Sequence, residues 1–246
     1  MAMGTARIGQ VGVVVWAPGV PGTGQDVQLG GRPLLVWAVA AMEANRSVQS
    51  VAVVVPRKAL DPAAKLLADH GFAKLAAVVA GGRTRQASVT AGLAALPPGL
   101  EYVAVHDAAR PLADHGLVDR LLEALLTTRD PPGPGSGSGW AGVVPAVPVT
   151  DTVRRVGGGG RSGGVVDRTA LRAVQTPQLF RRAVLEAAHQ HALRERFEAA
   201  DDAALVERAG HPVAVIAGSV ENLKIMTPLD LLVAEAMLEQ RLRRET

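Results

Sequence analysis

Three short segments carry residue types suited to phosphate and metal chemistry. The first is AVHDAARPL, residues 104–112. An apolar strand delivers His106 and Asp107 at its carboxyl end, Arg110 follows, and Pro111 diverts the backbone. A carboxylate placed there can hold a Mg²⁺ that also carries nucleotide phosphates, because Mg²⁺ prefers hard oxygen ligands and keeps several waters. Arg110 could then pair with a phosphate. The alternative is a capped turn, with Asp107 closing it and Arg110 pairing with Asp107. The second segment is GGRTRQASV, residues 81–89. Gly81 and Gly82 permit close backbone approach, and a helix starting near Thr84 or Arg85 turns its N-terminus toward an anion or a base carbonyl. Here too a plain glycine turn before a capped helix is the alternative.

The third segment, VGVVVWAPGVPGTGQDVQLGGRPLL, spans residues 11–35. An apolar run empties into a stretch with Gly19, Gly22, Gly24, Gly30 and Gly31. Strand-then-glycines is how backbone N–H groups are brought to a phosphate. Yet no lysine or arginine lies between Arg7 and Arg32, only Asp26. The segment is therefore an anion site that lost its charges, one charged from elsewhere, or a simple turn. Thr152, Arg168, Thr176 and Lys224 are, taken singly, ordinary: a β-favouring threonine, a surface arginine, a helix cap and a snorkelling lysine.

These residues need a scaffold, and the alternation of short apolar runs with amphipathic ones supplies it. Strands are expected at 11–16, 51–55, 75–79, 102–105, 142–147 and 212–217, and helices at 33–44, 62–70, 85–96 and 117–126. Strands without a polar face point to a mostly parallel sheet covered by helices on both sides. In such sheets ligands sit at the carboxyl ends of strands, which is where residues 17–31, 81–89 and 106–112 fall. Thr176-Pro177 and Thr227-Pro228 both read as an N-cap followed by proline at the first helical position. Asp230 adds favourable charge to the last helix's first turn. PPGPGSGSG, residues 131–139, reads as a surface loop. Residues 148–174 read as two extended pieces around GGGGRSGG. That excursion is either an arm that packs on another subunit or a disordered insertion.

Composition narrows the class. Of 246 residues, 48% are hydrophobic but only 3% aromatic, so the core must be Val, Leu and Ala. The net charge is +3 and only four residues are lysine: Lys58, Lys65, Lys74 and Lys224. With no basic block interleaved with aromatics, nucleic-acid binding is not expected. The absence of cysteine removes disulfides and thiolate metal sites and suits a reducing interior. No apolar run reaches the roughly 18 residues of a membrane span, and the start lacks a signal-peptide core. The expectation is a soluble, cytoplasmic protein.

Taken in order, GGRTRQASV, VHDAARP, VPVTDTVRRV, VVDRTALRAVQTPQLF, ADDAALVERAG and ENLKIMTPLDL resemble the 2-C-methyl-D-erythritol 4-phosphate cytidylyltransferase family. The resemblance runs through most of the chain. It implies a single Rossmann-like nucleotidyltransferase domain over residues 1–246, with 148–174 as a β-arm that clasps a second subunit in a homodimer. It implies CMP transfer from CTP to 2-C-methyl-D-erythritol 4-phosphate, with release of pyrophosphate, in non-mevalonate isoprenoid synthesis. Mg²⁺ would bridge Asp107 and the nucleotide phosphates. Ala17, Gly19, Gly82, Arg85, Ser88 and Asp107 match nucleotide-binding positions. Arg110, Thr152, Arg168, Thr176 and Lys224 match positions around the acceptor phosphate, and Asp107, Arg168 and Lys224 match the catalytic set. Arm residues would serve the neighbouring subunit's site.

The sequence departs from the family pattern in its first loop. Where that pattern has a proline, two alanines and a glycine, this chain has Trp16, Ala17, Pro18 and Gly19. A loop arginine and a Pro-Lys pair follow in the family; here Thr23 and Gly24 fall at the pair's place, and Arg32 aligns with neither cation. Ala200 replaces a usual threonine before Asp201 and Asp202. Losing one preorganised charge-stabilising group typically costs about 10² to 10³ in rate. A weakened enzyme using Arg7, Arg83 or Arg85, a homologue that binds without turnover, or a transferase for another polyol phosphate such as ribitol 5-phosphate are the alternatives this leaves.

Overall fold

The computed structural model describes residues 10–18, 27–127 and 139–245. Gly19, Gly22, Thr23 and Gly24 lie outside the described residues, as does most of the low-complexity run. The chain begins with strand β1 (Val11–Trp16), then a small hairpin of β2 (Gln28–Leu29) and β3 (Arg32–Pro33) leading into helix α1 (Leu34–Glu43). Next come β4 (Val48–Val55), α2 (Leu60–Asp69), β5 (Leu75–Ala80), α3 (Arg85–Ala95), β6 (Tyr102–Asp107) and α4 (Leu117–Thr127). The second half holds β7 (Gly142–Pro148), β8 (Arg154–Val156), β9 (Ser162–Val165), β10 (Arg172–Val174), β11 (Gln178–Arg181), α5 (Arg182–Glu195), α6 (Asp202–Arg208), β12 (Val213–Ala217) and α7 (Pro228–Glu245).

The main sheet runs β10-β7-β11-β6-β1-β4-β5, with β12 paired to β7. Pairs β1–β4, β1–β6, β4–β5 and β7–β12 are parallel, while β11 and β10 run antiparallel to their neighbours. Five valine-rich positions of β1 are buried because helices cover both faces of the strand. One face packs Val13 and Val15 against α1, α2 and α4. The other packs Val14 and Val103 against α3, α5 and α6. A third cluster seats Ala234 and Leu238 of α7 on Leu29, Leu34 and Ile225.

Several expectations change. Thr176-Pro177 does not open a helix: residues 178–181 form β11, and α5 starts at Arg182. The apolar Leu179 and Phe180 enter the two opposite cores, a period-two burial that only a strand permits. The Thr176 hydroxyl is taken up by the β6 end instead. Thr227-Pro228 does behave as a cap: Thr227 Oγ1 accepts from the Asp230 N–H at 3.2 Å, and Asp230 Oδ2 accepts from the Thr227 N–H at 2.8 Å. Gly30 and Gly31, at φ +55° and +74°, form the tight turn between β2 and β3, which requires positive φ at both central positions. Residues 154–165 form a separate two-stranded ribbon that is exposed throughout.

Candidate active site

Register places the ends of β1, β4 and β6 side by side, with Trp16 opposite both Val54 and Asp107. Two adjoining cavities open there. One, of about 360 Å³, is lined by Asp107, Arg110, Thr176, Lys224 and Asp201. The other, of about 190 Å³, is lined by Ala17, Gly81, Gly82, Arg83 and Ser88. Trp16 and Arg85 line both.

In the larger cavity three loops are laced together. Asp107 is 6% exposed. Its Oδ1 accepts from the Ala109 N–H at 2.9 Å, and its Oδ2 forms an ion pair with Lys224 Nζ at 2.8 Å. The Asp107 N–H donates to Thr176 Oγ1 at 3.0 Å. His106, fully buried, sits behind them, with Nδ1 3.3 Å from Thr176 Oγ1 and Nε2 3.2 Å from the Arg110 carbonyl. A carbonyl only accepts, so Nε2 carries the proton and Nδ1 accepts from the Thr176 hydroxyl. Burial pushes the His106 pKa down to about 4, outweighing the raising effect of Asp107, so the ring is neutral near pH 7. Arg110 donates to the Asn222 carbonyl at 2.6 Å. Burial lowers its pKa, against the pull of Asp107. Asn222 Nδ2 donates in turn to the Thr176 carbonyl at 2.8 Å, and the Ile225 N–H to the Ala109 carbonyl at 2.8 Å.

Asp107 therefore caps its turn and also faces the cavity; its cationic partner is Lys224, not Arg110. Among the described residues no cluster of three acidic or histidine side chains could cage a metal. The donor set still suits a Mg²⁺ carried on phosphates, which needs only one or two protein carboxylates. Asp107 would hold it, through the oxygen now shared with Lys224.

The smaller cavity is shaped by absent side chains. A Cβ on Gly81 would meet Ser88 Oγ at 2.6 Å, and one on Gly82 would meet the Ala87 Cβ at 2.5 Å. The 81–84 turn can close on α3 only because both are glycine. Thr84 caps α3, its Oγ1 accepting from the Ala87 N–H at 3.1 Å. Such a cap contributes about 1 kcal/mol. Ser88 is buried and donates to the Thr84 carbonyl at 2.8 Å.

The fold thus brings together Asp107, Arg110, Thr176 and Lys224, and beside them Ala17, Gly82, Arg85 and Ser88. Gly19 lies outside the described residues. Thr152 and Arg168 are exposed on the arm and line neither cavity of their own chain. Arg32, the first cation after the glycine-rich segment, stacks 4.8 Å from the Trp37 ring instead. Gln178, Asn222 and His189 are not among the residues singled out from the sequence, and Trp16 is noted there only as a departure from the family pattern. For Asn222 the apolar frame of ENLKI was a signal; for the others only tertiary neighbours reveal them.

A mixed α/β sheet whose strand ends converge on base- and phosphate-suited loops defines a nucleotide-binding transferase of Rossmann-like type. The profile of the 2-C-methyl-D-erythritol 4-phosphate cytidylyltransferase family matches residues 22–240. A cytidylyltransferase of that name from Thermosynechococcus vestitus is 40% identical over 89% of this chain and 88% of its own length. One from Streptomyces coelicolor is 42% identical over 87% of this chain and 77% of its own. The crystal structure of the Thermus thermophilus enzyme superposes with a TM-score of 0.72, at 39% identity, over 91% of this chain and 98% of that one. This chain belongs to the 2-C-methyl-D-erythritol 4-phosphate cytidylyltransferase family.

Proposed function

We propose that this chain is a nucleotidyltransferase that moves CMP from CTP to 2-C-methyl-D-erythritol 4-phosphate and releases pyrophosphate, a step of isoprenoid precursor synthesis. The observation that carries the reading is the cavity where Asp107, Lys224, Arg110 and Thr176 meet beside the Gly82–Ser88 pocket. Nucleotidyl transfer needs alignment and charge stabilisation rather than covalent help from the protein. Lys224 suits the acceptor phosphate and the Gly82–Ser88 pocket suits the cytidine. Mg²⁺ bound at Asp107 would neutralise charge on the triphosphate. Neutral His106 holds the Thr176 hydroxyl and the 107–110 turn in place.

The arm reading extends this to a homodimer. Val156 and Val165 are 70% and 55% exposed on the ribbon, an apolar surface that another subunit would cover, bringing Thr152 and Arg168 to the partner's cavity. No helix among the described residues is long and apolar enough to cross a membrane; a cytoplasmic location remains part of this reading.

The test is pyrophosphate release from CTP and 2-C-methyl-D-erythritol 4-phosphate with Mg²⁺. Release with another polyol phosphate alone, ribitol 5-phosphate included, would reassign the acceptor. The 8–31 stretch, free of lysine and arginine, favours a second reading, a homologue that binds without turnover: CTP would then raise the melting temperature with no pyrophosphate released.

A further inference from the structure

Behind the nucleotide pocket, on the α3–α5–α6 side of the sheet, lies a buried polar chain that the reaction itself does not require. Asp202, the first residue of α6, is fully buried. Its Oδ2 accepts from the Arg85 guanidinium at 2.5 Å, and its Oδ1 from His189 Nε2 at 2.9 Å. Burial alone would raise the Asp202 carboxyl; the His189 hydrogen bond and the Arg85 charge outweigh it and hold the group below the usual range. His189, on α5, is 3% exposed, and its Nδ1 lies 3.1 Å from Thr90 Oγ1 of α3. The Arg85 guanidinium sits 5.6 Å from the centre of the Trp16 ring. It makes no other hydrogen bond among the described residues, and its side chain is 22% exposed.

A buried ionic group of this kind is a poor stabiliser, since apolar residues of similar volume usually do as well or better. What it does is fix a geometry. Arg85 is the one cation, among the described residues, that lines both cavities. A guanidinium has five N–H donors in a rigid fork. One side is anchored on Asp202 and a face rests near Trp16, which leaves donors for an anion. Arg110 and Lys224 are already engaged within the larger cavity. Residues 8–31 contain no lysine or arginine.

We propose that Asp202 and His189 are positioning residues of the nucleotide site: the buried pair fixes Arg85 against Trp16 so that its remaining donors meet the phosphates of the bound nucleotide. The inference rests on the CTP reading above and adds a function to two residues outside the cavity's chemistry. Trp16, where the family pattern has a proline, completes the mount.

Two readouts test it. The first is equilibrium binding of CTP, which does not depend on turnover. Arg85→Ala should weaken binding about tenfold, and Asp202→Asn nearly as much. In a double-mutant cycle Asp202→Asn should add nothing once Arg85 is alanine; additive losses would overturn the proposal. His189→Ala should weaken binding about threefold, with His189→Gln, which keeps a donor, closer to wild type. His189 also lines an open cavity of about 540 Å³ between α3 and α5, so added imidazole should restore CTP binding to His189→Ala. Wild-type-like CTP affinity of His189→Ala, or a loss that imidazole does not restore, would remove His189 from the mechanism. If Asp202→Asn does not fold, the cycle is run with His189→Ala.

The second readout needs no ligand. The chain has 3 tryptophans, so 5-fluorotryptophan labelling gives one ¹⁹F resonance for each. The resonance that Arg85→Ala moves most is Trp16, and His189→Ala or Asp202→Asn should move the same one. An unmoved Trp16 signal would refute the mount. A wild-type chain that binds no CTP yet shows this coupling would refute the CTP reading and leave the positioning intact.

Discussion

The two ends of the proposed site, one for the acceptor and one for the nucleotide, are built by different means. At the acceptor end, four side chains from three loops are cross-braced by hydrogen bonds, and a carboxylate and an ammonium face each other at 2.8 Å. At the nucleotide end the fit comes from missing atoms, the bare Cα positions of Gly81 and Gly82, and from one arginine held from behind. The difference teaches where charge can be relocated. Asp107, Lys224 and Thr176 are bonded through Asp107, so none can be replaced from elsewhere without rebuilding the others. A cation that serves a triphosphate needs only to reach it, and residues 8–31 of this chain contain no lysine or arginine.

The contrast can be broken most sharply at Asp107. Asp107→Asn should lower pyrophosphate release by about 10² to 10³, because one isosteric change removes both the metal-suited oxygen and the partner of Lys224. A loss of less than tenfold would mean that the braced end is not where the chemistry happens.

Acid should loosen the braced end through His106. Its pKa is depressed in the fold to about 4 from 6.5. Between those values the unfolded chain binds more protons, so stability is complete above about pH 6.5 and falls as pH drops toward 4. The loss attributable to this ring approaches about 3 kcal/mol, and the depressed Asp202 pKa acts in the same direction as pH falls. Denaturant midpoints measured from neutral to acid pH should decline, and His106→Gln should flatten the decline; equal slopes would dismiss the buried ring as its source.

A smaller effect is expected at Lys224. Lys224→Ala should raise the KM for the acceptor about tenfold and leave CTP affinity nearly unchanged, whereas a change in CTP affinity alone would place this lysine at the opposite end. Smallest is a gain: Gly24→Lys, at the position where the family pattern has its lysine, should raise turnover a few-fold by returning one charge to the triphosphate. Unchanged turnover would show that the first loop does not approach the phosphates in this chain.

Much of the scaffold was legible in the residues. The β1 limits Val11–Trp16 follow from its valine run, and α3 starts where Thr84 supplies a cap. The Thr176-Pro177 pair shows the limit of such reading. It has the local chemistry of a helix start, yet the next residues alternate between two cores, and the threonine hydroxyl is claimed by Asp107 and His106 about 70 residues upstream. Local propensity cannot register a partner so distant in the chain. The glycine pair at 30–31 is similar: composition allowed a phosphate cradle, and the positive φ angles belong to a hairpin turn.

By itself the sequence determined the alternation of strands and helices, the apolar character of a sheet covered on both faces, and the residue types Asp107, Arg110, Thr176 and Lys224, because these follow from periodicity and side-chain chemistry. The tertiary structure decided which of those groups touch. It paired Lys224 rather than Arg110 with Asp107, left Arg168 and Thr152 out on the arm, and set Asp202 and His189 behind Arg85. Contacts of that kind depend on the register of parallel strands joined by long crossovers, and no local pattern encodes where two such distant loops will meet.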